Sequence, residues 1–130
     1  MMMMTGLAFF LSAASIPGEP VLTAIPEVKL ELGYKVKDRQ IEAESAEHCY
    51  QPGETVIAWT QISGLSSGFV EHAWFRNGEE VARHYLPVGS GRSWRTWSRH
   101  KLQAGEYKVQ VLGPGGKELA VSTFSAKVCD

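Results

Sequence analysis

Strict alternation of apolar and polar side chains limits this chain more than any other feature of its sequence. Val28, Leu30, Leu32, Tyr34 and Val36 alternate with Lys29, Glu31, Gly33, Lys35 and Lys37. A period of two belongs to a strand with one face buried. Glu106 to Leu112 repeats it, with Tyr107, Val109 and Val111 inward and Glu106, Lys108 and Gln110 outward. Thr55 to Ile62 (TVIAWTQI) is β-branched and aromatic enough for a central strand, and Lys117 to Val128 is strand-compatible, bringing Phe124 to one face. No stretch shows sustained helical periodicity. Thirteen Gly and six Pro supply the punctuation, at Gln51-Pro52-Gly53-Glu54, Gly64 to Gly68, Val88 to Ser93 and Gly113-Pro114-Gly115-Gly116. About seven short strands, at intervals of roughly ten residues, predict an antiparallel immunoglobulin-like β-sandwich. A small β-barrel is the alternative.

Asn77-Gly78 is the sharpest local signal, because both positions of a two-residue hairpin turn need positive φ. It joins Phe69–Arg76 to Glu79–Val88. An unbroken register sets Arg76 opposite Glu79, Phe75 opposite Glu80, Trp74 opposite Val81, His72 opposite Arg83 and Glu71 opposite His84. One face is then expected to carry His72, Trp74, Val81, Arg83 and Tyr85, and a Glu71–His84 pair is expected across the hairpin.

The N-terminus and the cysteines bear on the compartment. Residues 1–15 (MMMMTGLAFFLSAAS) hold an apolar run from Gly6 to Leu11 followed by small residues, as a signal peptide does, although the leading segment has no Lys or Arg. The stretch is too short to span a bilayer. Residues 16–26 carry three prolines and read as a lead-in to a single domain at 27–130. In an oxidising compartment Cys49 and Cys129 are most simply one disulfide. That bond closes a loop of about 80 residues and is worth roughly 4 kcal/mol in the chain-entropy model. Two unrelated buried thiols are the alternative. The expected location is outside the cytosol, periplasmic, at the cell surface or secreted, with no membrane span in the mature form.

A net charge of −1 excludes a nucleic-acid binder acting through bulk charge. The balance is nevertheless uneven. Residues 1–56 hold eight acids and four bases, whereas residues 57–111 hold four acids and seven bases.

From Val56 to Ser98 the chain resembles the bacterial family known as domain of unknown function 2914. The resemblance is carried by Trp59-Thr60 with Ile62-Ser63-Gly64, then His72-Ala73-Trp74-Phe75-Arg76-Asn77-Gly78, Leu86-Pro87-Val88 and Trp94-Arg95-Thr96-Trp97-Ser98. Gly105 to Val111, Gly116-Lys117-Glu118-Leu119 and Phe124 continue it, so that it spans about residues 36–126. It implies a compact β domain of exported or membrane-tethered proteins and brings no catalytic residue, cofactor or ligand. The chain departs from the family's pattern at Glu106-Tyr107, where a tryptophan-bearing W-R-V is expected.

Arg92 to Lys101 contains Arg92, Arg95, Arg99, His100 and Lys101 with no acid, and Trp94 and Trp97 stand between them. Alternation puts Trp94, Thr96 and Ser98 on one face and Arg95, Trp97 and Arg99 on the other. Arginine and tryptophan anchor protein interfaces, and they also stack on sugars; the bland reading is a core Trp braced by Arg stems. Trp94, Arg95, Trp97 and Arg99 are therefore the candidate binding face, with His72, Trp74 and Arg83 as a second cluster. No H-E-x-x-H, G-x-S-x-G, phosphate-binding loop or dinucleotide motif occurs. His48, His72, His84 and His100 lack metal-ligand spacing. The expectation is a non-catalytic binding or self-assembly module at the bacterial envelope, without cofactor or metal. A carbohydrate-binding domain and a purely structural domain are the alternatives.

Overall fold

A computed structural model describes residues 26–65, 68–89 and 93–130. The expected signal peptide (1–15), the lead-in up to residue 25 and Arg92 lie outside the described residues. Eight strands form, namely β1 (Glu27–Lys37), β2 (Gln40–Ala43), β3 (Thr55–Ser63), β4 (Gly68–Arg76), β5 (Glu79–Val88), β6 (Trp94–Lys101), β7 (Gly105–Leu112) and β8 (Glu118–Ala126). They build two four-stranded antiparallel sheets, ordered β2-β1-β3-β6 and β5-β4-β7-β8. This is the immunoglobulin-like sandwich, with open edges rather than a closed barrel. Among the described residues its first sheet stops at β6, where the constant-type plan carries one strand more.

The period-two patterns decide what enters the core. Val56, Ala58 and Ile62 of β3 meet Val70 and Trp74 of β4 and Tyr107, Val109 and Val111 of β7, all buried. Trp74 lies flat against His100, with ring centroids 5.3 Å apart. Removing a buried ring of this size typically costs about 3–5 kcal/mol. At the corner between β6 and β7, the Gln103 amide donates to the Tyr107 hydroxyl at 2.9 Å, which pins the turn as the tyrosine corner of immunoglobulin-like folds does. Tyr107 thus has its own structural use at the position where the chain departs from the family's pattern.

The Asn77-Gly78 turn forms as expected, with φ of 51° and 84°, and Arg76–Glu79 and Phe75–Glu80 pair as predicted. Beyond them the expected register is wrong by one residue. A β-bulge between Trp74 and Phe75 leaves Val81 as an extra residue, so Trp74 pairs with Ala82, His72 with His84 and Glu71 with Tyr85. The bulge turns Ala82, His84 and Leu86 toward the core and Arg83 and Tyr85 to the outer face. Without it the Arg83 guanidinium would be buried unpaired, which costs far more than the ladder bond lost at the bulge.

A second, smaller apolar layer lies on the outer face of the first sheet. The β1–β2 hairpin turns through Asp38 (φ 53°) and Arg39 (φ 62°) and brings Ile41 over Ile57 and Trp59, with Val36 and Trp97 packed beside them. Gly33 permits the crossing, since a Cβ there would meet the Glu42 carbonyl and the Ile41 side chain.

Candidate functional site

Strand β6 carries the candidate face. It pairs with β3 through eight consecutive residues, from Trp94 opposite Ile62 to Lys101 opposite Thr55, and among the described residues no strand pairs with its other edge. Alternation along it follows the sequence reading. Thr96, Ser98 and His100 lie over the core, and Arg95, Trp97 and Arg99 face outward. Trp97 is half-buried against Trp59. Trp94 sits at the mouth of the sandwich, half-buried, and its indole donates to the Pro87 carbonyl of β5 at 3.1 Å. Gly89 makes room for that ring, because a Cβ there would lie 2.6 Å from Trp94 Cζ3.

Arg39 completes the face, and sequence reasoning missed it. Its guanidinium stands 5.9 Å from the Trp94 ring and 5.7 Å from the Trp97 ring and donates to the Arg95 carbonyl at 2.7 Å. Its own carbonyl accepts from Trp59 Nε1 at 2.9 Å, which holds the positive-φ turn in place. Two shallow grooves of about 290 and 230 Å³ open here, the second between Pro87 and Trp97. Among the described residues, Arg39, Arg95, Arg99 and Lys101 have no carboxylate within 4.0 Å. Arg83 differs. It lies across the second sheet's outer face between Glu71 and Glu80, which hold it firmly charged.

The second candidate cluster is not assembled. His72 and Trp74 are fully buried while Arg83 faces out, for the reason given by the bulge. The expected Glu71–His84 pair is likewise absent, since Glu71 binds Arg83. His72 instead centres a buried polar chain. Its Nε2 lies 2.8 Å from Thr60 Oγ1 and its Nδ1 lies 2.7 Å from Ser98 Oγ, which also accepts from Trp74 Nε1 at 3.0 Å. A neutral imidazole donates on one side and accepts on the other, so both contacts are met without charge. Burial pushes the His72 pKa down to about 3, helped by His84 nearby. His100 is also lowered, by burial and then by His84.

The cysteine expectation holds, with Cys49 bonded to Cys129 across 80 residues and a Cα separation of 6.1 Å. Beside the bond lies a cavity of about 470 Å³ lined in part by His48, Tyr50, Phe124 and Lys127. Tyr34 donates to Glu54 at 2.5 Å and meets His48 Nε2 at 2.8 Å, while His48 Nδ1 lies 3.3 Å from Glu44. Burial, with the Glu54 contact behind it, pushes Tyr34 well above the usual phenol range. Burial likewise pushes Tyr50 up to about 12. The Gln51 amide and then the Tyr34 hydroxyl hold Glu54 below the usual carboxylate range. Both phenols stay protonated at neutral pH, so this cluster braces the 44–54 connection to β1 and β8. Among the described residues, no group of three or more His, Cys, Asp or Glu is arranged to hold a metal ion. No helix among them is long and apolar enough to cross a membrane.

No curated protein matches this chain. The portion of the resemblance before Phe69, including Trp59-Thr60 and Ile62-Ser63-Gly64, lies outside the family match, whereas the His72–Gly78 and Trp94–Ser98 blocks lie within it. From Phe69 in β4 to Ala126 at the end of β8, the chain matches the family described as Protein of unknown function (DUF2914), as its sequence motifs indicate.

Proposed function

We propose that this chain is a non-catalytic binding module that works outside the cytosol, in the periplasm or at the cell surface, and docks a protein partner through the Trp–Arg face of β6. The observation that carries the reading is a set of cations, Arg39, Arg95 and Arg99, that have no carboxylate partner among the described residues and are grouped around two half-buried tryptophans on a strand edge that no described strand covers. Such groups are the usual anchors of interfaces when a partner desolvates them. The same guanidinium groups are poorly explained by the fold alone, because Arg95 and Arg99 make no side-chain hydrogen bond among the described residues. The disulfide supports the oxidising compartment. A sugar-stacking platform draws less support, because Arg39 already lies between the Trp94 and Trp97 rings.

The test is the double variant Arg95→Ala/Arg99→Ala. Circular dichroism and melting close to the parent, with reduced partner capture from envelope extract, supports the reading. Loss of folding assigns the two arginines a bracing role and refutes it.

A further inference from the structure

We infer that the free edge of β6 takes up an acidic, extended segment of the partner as an added β-strand, with carboxylates at i and i+4 flanking an apolar residue at i+2. The inference rests on the docking role of β6 proposed above and names the chemistry that role requires.

Backbone direction comes first. In an antiparallel pair, consecutive residues point their N–H and C=O groups alternately toward the partner and away. The Leu32 carbonyl of β1 accepts from the Glu44 amide on the β2 side at 3.0 Å, so Leu32 faces away from β3. Leu32 stands opposite Ala58, and Ala58 opposite Ser98. Ala58 must then face β6, which turns Ser98 toward β3 and Arg95, Trp97 and Arg99 toward the open edge. The Leu102 amide agrees independently, since it donates to the Glu54 carbonyl just before β3 at 2.8 Å and so turns the even-numbered residues of this stretch toward β3, and the Arg95 carbonyl is taken by the Arg39 side chain. Arg39 covers that one carbonyl. Among the described residues nothing pairs with the N–H and C=O groups of Trp97 and Arg99, which leaves them to a further strand.

Side-chain chemistry then selects the strand. The residues whose backbone faces the edge also carry the outward Arg95, Trp97 and Arg99 side chains. Arg95 and Arg99 lie about 13 Å apart along the strand at its usual rise. A neighbouring strand places its same-face side chains directly beside them, two residues apart. Carboxylates beside the two arginines and an apolar side chain beside Trp97 give the i, i+2, i+4 pattern. A second β6 from another copy would set arginine beside arginine, and like charges directly opposite are destabilising. The edge is thereby guarded against its own kind and open to an acidic chain.

The probe is a fluorescein-labelled peptide with a Glu-Thr-Val-Thr-Glu core, read by anisotropy with the full chain, beside a version with Lys for both Glu. Expected is saturable binding of the acidic peptide that weakens at high salt and falls by at least about tenfold in Arg95→Glu/Arg99→Glu. Arg99→Pro removes an edge-facing N–H in addition to the guanidinium and should abolish binding, whereas Arg99→Ala removes the guanidinium alone and should merely weaken it. Should the proline variant unfold, amide exchange decides, because Trp97 and Arg99 amides gain protection in the complex only if a strand is added. Equal binding of the Lys peptide, or unchanged exchange at those amides, overturns the inference. If no acidic peptide binds while Arg95→Ala/Arg99→Ala still lowers partner capture, the added strand is refuted and the docking face stands. If both fail, both readings fall.

Discussion

Acid should unfold this protein through one imidazole. His72 is fully buried in the middle of the sandwich, and its pKa stands at about 3 against an ordinary 6.5. Above pH 6.5 the group is neutral folded or unfolded and adds no pH dependence. As pH falls below that value, only the unfolded chain takes up the proton, so stability is lost until the folded pKa is reached. The full difference corresponds to about 5 kcal/mol, and about 3 kcal/mol is lost between pH 7 and about pH 4.5. That loss is a large part of the usual stability of a domain of this size. The assay is urea denaturation at the two pH values, disulfide intact, on the parent and on His72→Gln, whose amide can span Thr60 and Ser98 without titrating. Glu54 and His100, both lowered, pull in the same direction in either protein, so the difference between the two proteins isolates His72. The parent should lose about 3 kcal/mol more than the variant. Equal losses would refute the neutral buried imidazole, whatever the variant costs at pH 7.

Three other perturbations separate the parts of the fold. Ser98→Ala strips a partner from both His72 Nδ1 and Trp74 Nε1 and should cost about 2–5 kcal/mol by urea denaturation, since each buried polar group left alone costs about 1–3 kcal/mol; a loss below half of one kcal/mol, roughly, would mean that water replaces the hydroxyl. Tyr107→Phe frees the Gln103 amide at the β6–β7 corner and should lower stability by about 1 kcal/mol while leaving the far-ultraviolet circular dichroism spectrum unchanged. Thiol titration of denatured, unreduced protein should find no reactive thiol from Cys49 or Cys129, and reduction should cost roughly 4 kcal/mol.

The strands were legible because their two-residue period and glycine turns are local properties. Val28–Tyr34 and Tyr107–Val111 fell where alternation put them, and the even cysteine pair closed as expected. Val36, expected on the same face, turns instead to the outer layer, because the register shifts between Gly33 and Val36. The misses have tertiary causes. Strand β2 is four residues with one buried side chain, Ile41, and its turn uses Asp38-Arg39 rather than a glycine. That strained turn persists because Trp59 and Arg95 hold Arg39 from twenty and more residues away. Without the turn, Arg39 could not be placed in the candidate face. The register error after Phe75 also had a signal that went unused. An unbroken hairpin would have buried Arg83, and Ala82, Leu86 and Val88 already formed the better apolar face. The burial of His72 followed once that face was turned inward.

The open edge of β6 is the claim on which the functional account depends, and residue-resolved amide hydrogen exchange of the free protein tests it most directly. Thr96, Ser98 and His100 amides should exchange slowly, bonded to β3, while Trp97 and Arg99 amides between them exchange orders of magnitude faster. Uniformly slow exchange along 96–100 would mean that the edge is already covered, and uniformly fast exchange that β6 is not held by β3; either result would contradict the account.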